Sequence, residues 1–147
     1  MKKVDLYTDG ACSGNPGKGG YGGILMYGSA KKEYSGYVEL TTNNQMELTA
    51  VIVGLKMLKE PCEVNIYSDS AYVVNAFLEG WVDSWILSNW KNSKKKPVLN
   101  VELWQELLEL TKIHDITWNK VKGHADNEYN NRCDALATGE IAKHMEG

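Results

Sequence analysis

The sequence predicts an α/β fold in which helices flank a five-stranded mixed sheet. Apolar and polar residues alternate over Val4–Thr8, which is typical of a strand with one buried face. Apolar residues then recur at helical spacing from Leu48 to Leu58, which predicts a helix with one buried face. The full predicted order is β-β-β-α-β-α-α-β-α, and this order favours a mixed sheet with helices packed on it.

Three strands are predicted in the first forty residues. After the first, the second spans Tyr21–Tyr27 and the third spans Lys32–Leu40, with Gly28-Ser29 as a tight connection between them. The segment Gly10–Gly20 is rich in glycine and contains Asn15-Pro16-Gly17. We therefore expect this segment to be a loop.

The rest of the chain alternates between helices and strands. Thr42 with Gln45 three residues later fits a capping box at the start of the first helix, and Pro61 ends that helix. The later predicted segments are a strand over Val64–Ser68, a helix over Ser70–Leu78, an irregular stretch over Trp81–Pro97, a helix over Val101–Ile113, a strand over Asp115–Val121 and a helix over Asn127–Lys143, within which Gly139 is unfavourable. No repeat or linker marks a second unit, so we expect one domain over residues 1–147.

Composition limits the classes of function. With a net charge of −3, the chain would have to hold a polyanion through local basic patches and metal ions. No apolar run approaches the length of a membrane span, and the N-terminus does not resemble a signal peptide. The three cysteines are widely spaced, which suits neither a disulfide framework nor a Cys-x-x-Cys metal site. We therefore expect a cytoplasmic protein with no membrane partner.

Four carboxylates are candidates for one site. Asp9 and Asp69 each end a predicted strand, and they converge at one sheet edge if those strands are parallel neighbours. Glu47 lies at the border of the first helix's apolar stripe, and Asp134 lies near the apolar side of the last helix. Oxygen ligands favour Mg²⁺ or Mn²⁺ over Zn²⁺. Such a group around two ions is suited to phosphodiester chemistry.

Each acid also has a purely structural interpretation. Asp9 before a glycine is common in turns, Asp69 before Ser70 suits a helix N-cap, and Glu47 suits the positive end of its helix. Asp134 alone is typical of a solvated helix charge. Spacing alone therefore leaves the convergence of the four acids open.

Further candidates lie between and after these acids. His124 falls in a predicted loop, where it is either a surface residue or, near a metal site, a proton shuttle. The tryptophans of residues 81–104 belong either to the core or to a nucleic-acid groove, and the adjacent lysine run, residues 94–96, is either a contact patch or a solvated face. We expect Tyr72 and Tyr129 to be packing residues.

Taken together, these segments resemble the ribonuclease H family, bacterial type I. The similarity covers almost the whole chain in order and is carried by the segments Tyr7–Gly17, Gly19–Gly22, Thr41–Leu48, Ser68–Val73, Lys96–Trp104, Val121–His124 and Asn131–Ala137.

The resemblance implies a ribonuclease H-like fold and a monomeric endoribonuclease that hydrolyses the RNA strand of RNA–DNA hybrids, giving 5′-phosphate and 3′-hydroxyl products. It implies two Mg²⁺ ions, with Mn²⁺ as a substitute, and a mobile catalytic-loop histidine at His124. The metal-binding carboxylates would be Asp9, Glu47, Asp69 and Asp134. Substrate contacts would come from Cys12, Asn15 and Asn43 on the RNA strand, Thr42 on a DNA-strand phosphate, Asn130 beside the active site, and Trp85, Lys94, Lys95 and Lys96.

Two positions and one three-residue segment depart from the family pattern. Ala71 stands where glutamine is common, Ser84 where asparagine is usual, and Ile86-Leu87-Ser88 where lysines and arginines are frequent. Affinity for nucleic acid follows the number of phosphates neutralised, so we predict weaker hybrid binding than a fully basic protrusion would give.

Other functions stay open at this point. A catalytically silent hybrid-binding module would lack one of the four acids. A DNA integrase-type nuclease of the same fold would carry flanking DNA-binding modules. A scaffold with scattered surface acids is the third alternative.

Overall fold

The computed structural model describes residues 1–122 and 127–145. In this part of the chain the elements are β1 (Lys2–Gly14), β2 (Gly17–Tyr27), β3 (Ala30–Thr41), α1 (Asn43–Lys56), β4 (Cys62–Ser68), α2 (Ala71–Leu78), α3 (Trp81–Leu87), α4 (Val101–Ile113), β5 (Asp115–Lys120) and α5 (Glu128–Met145).

The five strands form one mixed sheet in the order β3-β2-β1-β4-β5. The pairs β1–β2 and β2–β3 are antiparallel, whereas β4 runs parallel to β1 on one side and to β5 on the other. This arrangement confirms the predicted fold class. It also shows that the first and fourth strands are parallel neighbours, which is the condition for Asp9 and Asp69 to converge.

The two faces of the sheet are covered by different helices. A side chain at Gly10 of β1 would meet the backbone of α1, whereas one at Gly22 of β2 would meet Leu136 and Cys133 of α5. Gly22 is paired with Asp9, the residue next to Gly10, and successive residues of a strand point to opposite faces. The sheet is therefore held between α1 and α5, and Asp9 lies on the α5 face.

The core forms where α1 packs on the sheet. Leu48, Val51 and Leu55 of α1 are fully buried, as are Leu6 of β1 and Ile66 of β4. Burying each such side chain stabilises the fold by about 1.5–3 kcal/mol. The helical spacing in the sequence predicted this buried face correctly.

The predicted loop over residues 10–20 is wrong. The strands β1 and β2 continue through it and pair from Gly10↔Tyr21 to Gly14↔Gly17. Glycine is needed here because helices approach the strands closely: a Cβ on Gly10 would lie 2.5 Å from the backbone nitrogen of Glu47. As a consequence Asp9 lies within β1 and not at its end.

The predicted irregular stretch over residues 81–97 is also wrong for its first half. The short helix α3 begins after Gly80, which has a φ of 76°, and buries Val82 beneath it. Beyond α3 the chain is irregular as predicted, with a single bridge between Lys91 and Pro97 and a left-handed backbone at Lys95.

No helix in the described ranges combines the length and the apolar character that crossing a membrane requires.

Candidate active site

Three carboxylates from three different elements meet at one point of the sheet. Asp9 of β1, Glu47 of α1 and Asp69, directly after β4, each place an oxygen within 4.8 Å of the other two. The parallel pairing of β1 with β4 extends to Tyr7↔Tyr67, two residues before each aspartate. This register brings Asp9 and Asp69 together.

The structural interpretations of Asp69 and Glu47 do not fit this geometry. Ser70, and not Asp69, caps α2, because its side chain accepts a hydrogen bond of 3.3 Å from the backbone N–H of Val73. Glu47 is buried, and its Oε1 has no hydrogen-bond partner among the described residues. A buried carboxylate oxygen without a partner is costly, so this atom favours a cation or a proton beside it.

Burial and mutual repulsion raise the pKa values of this cluster. Burial, then the charges of Asp69 and Asp134, raise the pKa of Asp9 from 3.8 to about 7, although the N–H of Gly10 donates a hydrogen bond of 2.9 Å to Asp9 Oδ1. Burial, followed by the charges of Asp9 and Asp69, raises the pKa of Glu47 well above its ordinary value. Full ionisation of the site is therefore unfavourable near neutral pH unless a cation is bound.

The fourth predicted carboxylate, Asp134, lies beside Asp9 and outside the tight group of three. It sits on α5, is exposed, and raises the pKa of Asp9 by its charge and by a side-chain hydrogen bond. Asn130 lies one turn earlier on the same helix, and its Oδ1 is buried with no partner within residues 1–122 and 127–145.

The donor set fits a hard divalent cation. The cluster offers carboxylate oxygens, and one of them, Glu47 Oε1, is buried and unpartnered among the described residues. Mg²⁺ and Mn²⁺ prefer such oxygen ligands. A cation would also offset the repulsion that raises the pKa of Asp9.

The predicted RNA-strand contacts lie together near the start of α1. Asn43 donates its backbone N–H to Asn15 Oδ1 at 3.2 Å, which ties the β1–β2 turn to the helix. Cys12 Sγ donates to the carbonyl of Thr41 at 3.3 Å. Thr42 caps α1 by accepting from the N–H of Gln45 at 3.2 Å, so its own hydroxyl proton is available to a phosphate oxygen.

The lysine run is presented on an organised turn. Asn92 Oδ1 accepts from the backbone N–H groups of Lys94 and Lys96 at 2.9 and 3.1 Å, and all three lysines of the run are exposed. Trp85 is half-buried and packs edge-on against Trp104 at 5.2 Å, so it contributes to the core.

A hydrogen-bond chain that no sequence motif fully predicts links these regions. Gln45 Nε2 donates to Asn100 Oδ1 at 3.1 Å, and Asn100 Nδ2 donates to Tyr72 Oη at 3.0 Å. Trp104 Nε1 donates to the same hydroxyl at 3.0 Å. The capping-box motif singles out Gln45 but predicts that its side chain bonds back to Thr42. In the structure this side chain donates to Asn100 and accepts from the hydroxyl of Thr41.

Tyr72 also packs on Trp104, as its predicted packing role requires.

The predicted loop histidine, His124, lies outside the described residues.

The chain is similar to a known protein family along nearly its whole length. The sequence model of the RNase H family matches residues 1–142. Ribonuclease H of Acetivibrio thermocellus is 66% identical over 143 residues, covering 97% of each chain. Ribonuclease H of Chlorobium luteolum is 63% identical over 143 residues, covering 97% of this chain and 98% of its own.

Solved structures show the same fold. LC9-RNase H1, described as a type 1 RNase H with the type 2 active-site motif, has a TM-score of 0.87 at 27% identity, covering 97% of this chain and 74% of its own. LC11-RNase H1, solved in complex with an RNA/DNA hybrid, has a TM-score of 0.73 at 24% identity, covering 97% of this chain and 99% of its own. With the family match over nearly its whole length and the high identity of its relatives, the chain belongs to the ribonuclease H family.

Proposed function

We propose that this protein is an endoribonuclease that hydrolyses the RNA strand of RNA–DNA hybrids and leaves 5′-phosphate and 3′-hydroxyl ends. The observation that carries the proposal is the meeting of Asp9, Glu47 and Asp69, each from a different element, within 4.8 Å. Its ribonuclease H relatives at 60–66% identity support the same activity.

We further propose that Asp9, Glu47, Asp69 and Asp134 hold two Mg²⁺ ions, for which Mn²⁺ is a substitute. When bound, the ions supply activation of the attacking water and stabilisation of the departing oxygen. The carboxylates themselves fix where the cations sit relative to the scissile phosphate. Glu47 contributes from a buried position on α1, so its orientation is set before substrate arrives.

The chain's polar side chains recognise the hybrid in this proposal. Cys12, Asn15 and Asn43 face the RNA strand, where the 2′-hydroxyl distinguishes RNA from DNA. Thr42 uses its free hydroxyl proton to bind a phosphate of the DNA strand. Asn130 lies beside the active site, and its buried Oδ1, which has no partner among the described residues, can accept a hydrogen bond from a water molecule there.

The remaining assignments are proposals about the periphery of the site. Lys94, Lys95 and Lys96 neutralise backbone phosphates, with Trp85 beneath the same surface. His124 assists proton transfer or product release, because its ordinary pKa is near neutrality. A monomer suffices for this chemistry, and we expect it to act in the cytoplasm.

The test is cleavage of one end-labelled sequence presented as RNA–DNA hybrid, double-stranded RNA, single-stranded RNA and double-stranded DNA. Each substrate is incubated with Mg²⁺ and, separately, with a chelator. We expect cleavage of the RNA strand of the hybrid alone, and its loss on chelation. Tight binding of an uncut hybrid would instead indicate a silent binding module, and equal cutting of double-stranded DNA would indicate an integrase-type nuclease.

A further inference from the structure

Three tyrosines that lie a few residues before the carboxylates in the sequence form an aromatic cluster. The ring of Tyr7 stacks on that of Tyr67, with centroids 4.6 Å apart and planes within 12°. The ring of Tyr129 packs on the same Tyr7 at 5.0 Å, tilted by 44°. All three rings are half-buried, so they neither belong to the deep core nor project freely into solvent.

Each tyrosine comes from an element that contains, or leads directly into, a carboxylate of the proposed metal site. Tyr7 precedes Asp9 by two residues on β1, which places both side chains on the α5 face of the sheet. Tyr67 likewise precedes Asp69 by two residues at the end of β4. Tyr129 lies in the first turn of α5, the helix that carries Asp134.

The side of α5 that contains Tyr129 faces the sheet, and this contact sets how the helix is rotated about its own axis. Cys133, four residues later on the same side, is fully buried against the sheet. Asn130 and Asp134 form the adjacent row, each one residue further along. A change in how Tyr129 packs would therefore turn this row and move Asp134 relative to Asp9.

Besides the aromatic contact, the first turns of α5 are tied to the sheet by Arg132, which donates hydrogen bonds of 2.8 and 3.0 Å to the carboxylate of Glu33 on β3. Asn127 Oδ1 accepts from the N–H groups of Tyr129 and Asn130 at 3.1 and 3.2 Å, but these bonds are local to the turn. Further along, α5 is held where Ala137 and Leu136 approach the glycines of β2. The aromatic contact thus acts at the end of the helix nearest to Asp134.

We propose that Tyr7, Tyr67 and Tyr129 are positioning residues that preset the separation between Asp134 and the Asp9–Asp69 pair for divalent-cation binding. The inference rests on the metal site of the proposed function and adds to it the contacts that fix the position of α5 relative to the sheet. The rings do not touch the cation; they act through the backbone of the elements that carry the carboxylates.

The test compares Tyr129→Ala with Tyr129→Phe by calorimetric Mg²⁺ titration in the absence of nucleic acid. We expect Tyr129→Ala to weaken Mg²⁺ binding by about tenfold, as loss of supporting residues around metal ligands commonly does, and Tyr129→Phe to stay within about twofold of wild type. Hybrid cleavage by Tyr129→Ala should require more Mg²⁺ and recover kcat at saturation, with KM for the hybrid unchanged.

The matched control is Tyr37→Ala on β3, which changes a contact at the other end of α5. The ring of Tyr37 stacks on His144 of α5 at 3.6 Å, far along the helix from Asp134. This variant should lower the melting temperature without changing Mg²⁺ affinity. If Tyr129→Ala does not fold, Tyr129→Leu, which keeps apolar bulk but not the flat ring, takes its place with the same criteria.

Two results would overturn the inference. One is unchanged Mg²⁺ affinity in the folded Tyr129 variant; the other is an equal loss of affinity in Tyr37→Ala, which would indicate general loosening of α5. Failure of the proposed function looks different, because the wild-type protein itself would then bind no Mg²⁺ or cut no hybrid.

Discussion

At Asp9, burial and two neighbouring acids act in the same direction on one carboxyl group. The pKa of about 7 in the folded protein lies above the ordinary value of 3.8, so the folded state binds this proton more tightly than the unfolded chain. The resulting stabilisation is fully present below about pH 4 and is lost as the pH rises through about 7. Glu47 adds to this trend, because its pKa is raised as well.

The metal-free protein should therefore melt at a lower temperature at pH 8 than at pH 6, and Mg²⁺ should narrow this difference. A cation binds the ionised carboxylates of the folded state, so its stabilising effect should be larger at pH 8. Thermal unfolding at both pH values, with Mg²⁺ and with chelator, measures this. An equal Mg²⁺ effect at pH 6 and pH 8 would contradict the assignment of Asp9 and Glu47 to the cation site.

Removal of one charge from the cluster separates catalysis from stability. Asp69→Asn should reduce hybrid cleavage by at least about 100-fold, since the amide is a poor substitute for a ligand of the catalytic cations. The same change should leave the metal-free melting temperature at pH 8 unchanged or higher, because Asp69 raises the pKa of both Asp9 and Glu47.

Single-turnover cleavage and thermal unfolding, measured on the same preparations, check the effects of Asp69→Asn. The control is Asp115→Asn, an exposed acid at the start of β5 and at the opposite end of the parallel strands from the cluster, which should change neither measurement. Appreciable turnover by Asp69→Asn would remove Asp69 from the site.

At the scale of the elements, the position of α1 against β1 depends on a missing side chain. A Cβ on Gly10 would lie 2.5 Å from the backbone nitrogen of Glu47 and 2.5 Å from the carbonyl carbon of Met46. Both contacts are with backbone atoms, which cannot move aside without shifting the helix. Glu47 would move with it.

Gly10→Ala should therefore destabilise the protein by about 1–3 kcal/mol, as overpacking commonly does, and should weaken Mg²⁺ binding at the same time. Gly139→Ala is the matched control: it lies in α5 with open space where its Cβ would point, and should stabilise by about 0.5–1 kcal/mol. Urea unfolding and Mg²⁺ titration test both. A stable Gly10→Ala protein with normal Mg²⁺ affinity would show that α1 adjusts freely.

These glycines also explain where the sequence is misleading. A glycine-rich run is usual in loops, and the sequence does not show which helix approaches a strand, so the pattern predicts a loop over residues 10–20 although they belong to β1 and β2. The alternation in Val4–Thr8 and the apolar spacing of α1 depend on local periodicity and predict those elements correctly. The short helix α3 has too few turns for its periodicity to stand out.

In the site, too, some contacts can be predicted from the sequence pattern, whereas contacts between residues far apart in the sequence cannot. The convergence of Asp9 and Asp69 follows from two strands being parallel neighbours, which the structure confirms. The contact of Tyr129 with Tyr7 joins residues more than a hundred positions apart, and no local pattern marks it. Sequence spacing therefore predicts Tyr129 as packing without indicating what it positions.

At the scale of the whole molecule, the protein can attract nucleic acid only through local clusters of basic side chains. The net charge is −3, so binding depends on where the basic side chains lie. The run Lys94-Lys95-Lys96 is exposed, while nearby α3 presents Ile86 and Leu87 to solvent where the family commonly has basic residues. Affinity for the hybrid should accordingly be low and sensitive to salt.

Leu87→Lys should tighten hybrid binding and steepen its salt dependence. Leu87 is 89% exposed, so the substitution removes no core contact, and a lysine there would gain one phosphate contact. The slope of log K against log salt concentration should then become more negative by about 0.7–0.9.

The matched control is Ile113→Lys at the end of α4, 52% exposed, which adds the same charge at the opposite end of the parallel strands. Binding titrations with a chelator and several salt concentrations measure both. A steeper slope for Leu87→Lys alone locates the nucleic-acid path over α3, whereas equal changes in both variants would mean that net charge, and not this surface, governs the attraction.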